Sequence, residues 1–447
     1  MKKLRKALCL VLAGCMAVSL AACNSSSTES SSQGTESTGS QTESTTGGDG
    51  ETAELVFWDM PWGPSQYLGV AEGLIEEFEK EYPNIKVTYQ QIPWDSSSVT
   101  FQTAVTSGTT LDVSTGPGFQ SFQFHAMGKM IDVSDVLAEL EEEGVKWSTG
   151  TAEQFNVDGF QTALPFNVDP KGIYYRTDWL KDAGLEVPTT WDELYDVMEA
   201  MTHDDVFGMA LAGENHWAFY QFMFGNGGAY VTEDQKANIN TPEVKGAMEF
   251  YAKMRDGGVI PAGAAGSKND DAQKLYFQNK AWCIPASGDF SALLQETSQD
   301  LYDNTELLPV LESPNGIVRS PQGINGLMGY SDTKYPEAVK TFMKWWTLNN
   351  GPLWQDGGMG AFPADTTKNE LSAIADNKFK EFFAENIIPV GCALNYPSPG
   401  AFPAMSSLEG EDLAREISTE VLGGNNDFDS LLAGMNDRIQ QILDSNG

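Results

Sequence analysis

Residues 55–89 read LVFWDMPWGPSQYLGVAEGLIEEFEKEYPNIKVTY. Leu55-Val56-Phe57-Trp58 is a short apolar run of strand type. Ala71, Leu74, Ile75, Phe78 and Tyr82 then recur at helical spacing, with Glu72, Glu76, Glu77, Glu79 and Lys80 between them. Pro83-Asn84 ends that helix, and Ile85-Lys86-Val87-Thr88-Tyr89 alternates as a second strand. Strand, amphipathic helix and strand in this order predict a β-α-β unit with parallel strands and a right-handed crossover.

The same alternation extends on both sides of a polar gap. A helix is expected around Val99–Ser107 and a strand at Leu111–Ser114. Gly172–Tyr175 opens a second series. In Pro188-Thr189-Thr190-Trp191-Asp192-Glu193, Thr190 is placed as an N-cap with Glu193 reaching back to it. Thr241-Pro242-Glu243 starts another helix, which Gly257-Gly258 stops. Ala281–Ala286 reads as a buried strand, and Pro336–Leu348, Leu371–Phe383, Leu408–Leu422 and Phe428–Leu443 read as helices. Strands alternating with helices imply α/β layers, and 447 residues suggest two or three domains. No repeat of solenoid period occurs.

The composition narrows the function. An apolar fraction of 41% with 11% aromatics fills sizeable cores. Acids outnumber bases 63 to 27, a net charge of −36, which repels phosphate backbones, so nucleic acid is not an expected partner. Met1-Lys2-Lys3-Leu4-Arg5-Lys6 is basic, Ala7–Leu20 is apolar, and Leu20-Ala21-Ala22-Cys23 puts small residues before a cysteine. Residues 1–22 read as a secretory signal. Its end resembles a bacterial lipobox, which makes Cys23 the expected lipidation site. Asn24–Gly50 holds no apolar residue and cannot form a core, so 23–50 is expected to be a tether to the membrane. Of the cysteines beyond it, Cys283 and Cys392 have no metal-type spacing. Two buried thiols are expected, with a disulfide as the alternative.

Enzyme motifs are scarce. His125, His203 and His216 are the three histidines, none paired at i, i+4. No Walker A or G-x-S-x-G sequence occurs. Asn425–Asp429 lacks the Gly and Glu of a calcium loop and reads as a helix entry. No metal, cofactor or catalytic residue is therefore expected. A carboxylate pair for glycoside hydrolysis stays open, because sequence gives no separation.

Aromatic residues stand at the breaks between elements. Trp62 follows the first strand and Trp94 the second, while Gly116, Phe119 and Gln120 follow the third. Phe166-Asn167-Val168-Asp169-Pro170 interrupts two strands, and Trp217 precedes a helix. Ligands of open α/β sheets bind outside the carboxyl ends of the strands. Aromatic faces there stack on sugar rings while Asp, Asn and Gln satisfy hydroxyls. Any one of these rings alone is better explained by packing of its own loop; the set favours a ligand.

Several segments, taken together, are similar to family 1 extracellular solute-binding proteins, the sugar-binding lipoproteins of ABC importers. They are the 55–89 stretch, Ser107-Gly108-Thr109-Thr110-Leu111-Asp112-Val113, Ala163-Leu164-Pro165-Phe166, Ile173–Leu185, Pro188–Leu194 and Tyr335-Pro336-Glu337-Ala338. Leu111 stands where the family usually has Pro. The resemblance covers about 54–443. It implies a two-lobed periplasmic-binding-protein-like α/β fold of type II. The N-lobe would be 54–164 with 312–350 and the C-lobe 165–311 with 351–447, joined by hinge crossings around a cleft. It implies sugar contacts at Trp62, Asp169, Trp217, Asp289 and Phe402, with Gly116, Phe119 and Gln120 in a loop the family uses variably; Trp94 and Asn167 are expected beside them from their places at the strand breaks. Gly116 and Gly118 would leave room there for a larger ligand. The implied partners are a mono- or oligosaccharide and the transmembrane permease, for a monomer anchored on the outer face of the cytoplasmic membrane of a Gram-positive-type bacterium. A polyamine or peptide receptor, or a surface glycosidase, are the alternatives. Trp345 and Trp346, inside a helix, read as core.

Overall fold

The computed structural model describes residues 52–108, 111–398 and 400–446. The signal segment, Cys23 and the 23–50 tether lie outside the described residues, as do Thr109 and Thr110 of the 107–113 motif.

Strand β1 (Ala53–Asp59), helix α1 (Gln66–Glu81) and strand β2 (Ile85–Gln91) form the unit read from the sequence. β1 and β2 pair in parallel from Ala53↔Ile85 to Asp59↔Gln91. α1 buries Ala71, Leu74, Ile75 and Phe78 and leaves Glu72, Glu76 and Glu77 in water. Helix α2 (Trp94–Ser107) starts earlier than its apolar residues suggest. Strand β3 (Val113–Pro117) lies on the other side of β1, parallel to it.

One sheet runs through the molecule in the order 85–91, 53–59, 113–117, 320–329, 164–176, 281–287, 207–209. Its centre is two long antiparallel strands, Leu164–Arg176 and Ser320–Gly329, paired from Gln322↔Pro170 to Leu327↔Leu164. Only Gly172–Tyr175 of the first is evident in the sequence. The rest is buried on both faces, so Asn167 and Asp169 break any apolar alternation.

Two expected helices are broken. Within 371–383 the chain forms Ser372–Ala375 and Lys378–Phe382, because the Asn377 carboxamide accepts from the amides of Phe379 (3.0 Å) and Lys380 (3.2 Å) and starts a new helix. Within 408–422 the chain forms Met405–Gly410 and Leu413–Leu422, separated at Asp412, which sits at φ 53°. The Thr190–Glu193 capping box and the Thr241-Pro242 start are present as read.

Buried apolar residues form two clusters. In the first, Trp346 packs edge-on to Phe57 at 5.0 Å, and Trp345 is buried beside it. That cluster continues along the central strand, where Phe290 and Phe379 pack on Tyr174. The second surrounds His216–Gly225, Pro242–Asp256 and Leu413–Leu422, with Trp191 against Phe222 and Phe250. Cys283 and Cys392 are free, buried thiols in it. Among the described residues no helix is long and apolar enough to cross a membrane.

Candidate functional site

A cavity of about 530 Å³ opens at the carboxyl ends of β1, β2 and β3 and over the two long strands. Seven of the ten residues expected at a site line it: Trp62, Trp94, Phe119, Gln120, Asp169, Trp217 and Asp289.

The loop after β1 delivers Trp62. Its indole N–H points inward, 2.8 Å from the Thr115 hydroxyl and 3.1 Å from Asp59 Oδ1. Asp59 is fully buried and also accepts from Tyr67 (2.9 Å) and Tyr89 (2.9 Å), so the edge of the ring is held at a fixed angle. Burial pushes the Asp59 carboxyl up to about 6 despite these donors. Trp94, first residue of α2, meets Trp62 edge-on at 4.9 Å and stays 44% exposed, a ring presented to the cavity and not consumed by core packing. Phe119 and Gln120 begin the next helix, Phe119–Ala126.

The long strands make the floor. Asp169 and Lys171, two positions apart on one strand, share a face and form an ion pair. Burial raises the Asp169 pKa, Lys171 opposes that shift, and nearby Asp289 adds to it. The Lys171 ammonium also lies 4.6 Å from the Trp217 ring centroid, covering one indole face. Asn325 and Gln322 come from the antiparallel partner. Asp289 follows strand Ala281–Ser287, and the backbone of Gly360 passes so close that a Cβ there would sit 2.2 Å from the Asp289 Cα.

Three expected residues do not reach the wall. Asn167 is fully buried, and its Oδ1 accepts from Asn325 (2.7 Å), so it orients a lining residue from behind. Phe402 turns into the second apolar cluster. Gly116 lies in β3, where a Cβ would meet Met328 and the Gln120 carboxamide. Gly118 leaves no room for a larger ligand: a Cβ there would be 2.4 Å from the Phe155 ring, so Phe155 already fills that space.

The sequence reading missed Lys171, Gln322, Asn325, His216 and Glu409, all on the wall. The i, i+2 spacing from Asp169 would have found Lys171. Glu409 comes from Met405–Gly410, the helix before the break at Asp412, accepts from Tyr220 (2.9 Å), and is pushed up to about 7 by burial. His216 is held down to about 4 by burial and by the cations Lys171 and Arg415, so it is neutral at pH 7.

Buried amide atoms converge here without hydrogen-bond partners among the described residues. They are Gln120 Oε1 and Gln322 Oε1 on the wall and Asn167 Nδ2 behind Asn325. An unpaired buried group of this kind costs about 1–3 kcal/mol. Among the described residues no group of three or more His, Cys, Asp or Glu is placed to hold a metal ion.

Residues 65–351 match the bacterial extracellular solute-binding protein family. Diacetylchitobiose binding protein DasA of Streptomyces coelicolor is 28% identical over 342 residues, 74% of this chain and 75% of its own. The multiple sugar-binding protein of Streptococcus mutans is 25% identical over 61% of this chain and 67% of its own. The match spans only 62% of the length of the Brucella relatives, which are 24% identical. A sugar transporter of Arthrobacter chlorophenolicus with bound laminaribiose superposes with a TM-score of 0.79 at 24% identity, over 87% of this chain and 99% of that one. The two-lobed type II binding-protein fold is thus shared, and the chain belongs to the bacterial extracellular solute-binding protein family.

Proposed function

We propose that the chain is a lipid-anchored, extracytoplasmic receptor of an ABC importer that captures a neutral oligosaccharide and presents it to a membrane permease. One observation carries this reading: aromatic rings and polar side chains share one cavity wall. Trp62, Trp94, Phe119 and Trp217 supply apolar faces, and Asp169, Gln120, Gln322 and Asn325 supply polar groups. Relatives named for diacetylchitobiose and for multiple sugars support the same class. The lobes, 54–164 with 312–350 and 165–311 with 351–447, would close on the ligand, and the permease would read that closure.

A polyamine is the second reading, favoured by Asp169, Asp289 and Glu409 on the wall. The protein's own ammonium, Lys171, argues against it, since it already takes the Asp169 carboxylate and a face of Trp217. Calorimetric titration tests both. Trp217→Ala and Asp169→Ala should each weaken saccharide binding by about 1–3 kcal/mol. Parent-like affinity in both variants would remove the cavity from the function.

A further inference from the structure

Behind Trp217 lies a second cavity of about 220 Å³. It meets the main cleft at Lys171, Trp217, Asn269, Ser287 and Asp289, which line both. Trp217 is therefore a partition between two chambers. The walls that the rear chamber does not share with the cleft include the carboxamide residues Asn215, Gln221 and Gln273, with Ala272 and Pro285; Gln221 also borders a smaller cavity of about 40 Å³. Asn215 is already spent: it caps the helix at Ala218 (3.2 Å) and donates to the Pro285 carbonyl (3.2 Å). Gln221 is not, for its buried Oε1 has no partner among the described residues.

The charges are on the shared wall only. Lys171 is tied to Asp169, and Asp289 accepts from the Ser287 hydroxyl. A cation entering the rear chamber would pass the Lys171 ammonium, and an anion would pass Asp289. What fits is an uncharged group rich in hydroxyls or amides. A volume of about 220 Å³ is room enough for a single sugar ring.

We propose that this chamber is a second subsite, which takes one neutral sugar unit, a branch or an end unit, of a saccharide whose main part lies in the cleft. This inference rests on the saccharide reading above and sharpens it: the ligand class is a neutral oligosaccharide of three or more units, reaching past the edge of Trp217.

The test uses the full chain and calorimetric titration with neutral gluco-oligosaccharides of two, three and four units, α-1,4 and β-1,3 linked. Two variants narrow the chamber from residues that do not line the cleft: Gln273→Trp, on a partly exposed helix face, and Ala272→Phe. Thermal unfolding identifies which variants fold. The parent is expected to bind the trisaccharide about tenfold tighter than the disaccharide of the same linkage. A folded variant is expected to lose that gain while keeping its disaccharide affinity within about twofold. An unchanged length profile in a folded variant, or no gain with length in the parent, overturns the chamber and leaves the receptor reading standing. Binding of no saccharide by the parent overturns both.

Discussion

Replacing Trp94 by Ala separates ligand contact from folding better than any other aromatic substitution in the cleft. The side chain is 44% exposed and has two supports: the edge-on contact with Trp62 at 4.9 Å and a long N–H contact of 3.4 Å to the Pro61 carbonyl. An aromatic pair contributes about 0.5–1.5 kcal/mol, so the loss of stability should be about 1 kcal/mol and the melting temperature should fall by only a degree or two in a chain this long. Binding should suffer more. A sugar face covering about 60 Å² of indole, at about 25 cal/mol/Å², is worth about 1.5 kcal/mol, or roughly tenfold in Kd. The assay is calorimetric titration of parent and variant with laminaribiose and maltose series, beside Val99→Ala. Val99 is 72% exposed on the same helix and does not line the cavity, so that variant should bind like the parent. If Trp94→Ala keeps parent affinity for every saccharide the parent binds, the exposed ring does not face the ligand.

Other substitutions follow from close approaches and burial. Gly391 packs so tightly on Gln322 that a Cβ would lie 2.2 Å from its Oε1; Gly391→Ala should push this flexible carboxamide out of the wall, weakening saccharide binding about tenfold with little change in melting temperature. Calorimetry beside thermal unfolding checks both halves. Glu409, raised from an ordinary carboxyl to about 7, keeps a proton in the folded protein that the unfolded chain has released. Its contribution to stability therefore falls as pH rises from about 4.5 to 7, then levels off. His216, lowered to about 4, runs the opposite way between about 4 and 6.5, so the difference between parent and Glu409→Gln is the informative quantity. The variant should gain on the parent in melting temperature from pH 5 to 7 and not beyond.

Where a single face is buried, the sequence displays it. α1 alternates glutamate with core residues, and the loops after β1, β2 and β3 announce themselves by Trp62, Trp94 and Phe119 at the ends of strands. The middle of the site is hidden for the opposite reason. Leu164–Arg176 is buried on both faces and carries its functional polar groups inside an apolar setting, so it shows no period. Gln322 and Asn325 acquire meaning only through pairing with that strand, a contact across about 150 positions that no local pattern encodes. Phe402 shows the converse error, since an aromatic after a proline-rich turn looks available until the fold buries it. Gly118 does too: a missing side chain suggests space, yet Phe155 comes from another part of the chain to fill it.

On the proposed function, aromatic faces and polar side chains in one cleft select a neutral saccharide. Calorimetric titration of the full chain with a panel of neutral oligosaccharides, with spermidine and a short peptide in parallel, tests it most directly. The expected result is saccharide binding in the micromolar range or tighter, about −8 kcal/mol, without product formation and with little dependence on salt. Tight, salt-sensitive spermidine binding with no response to any saccharide would contradict it.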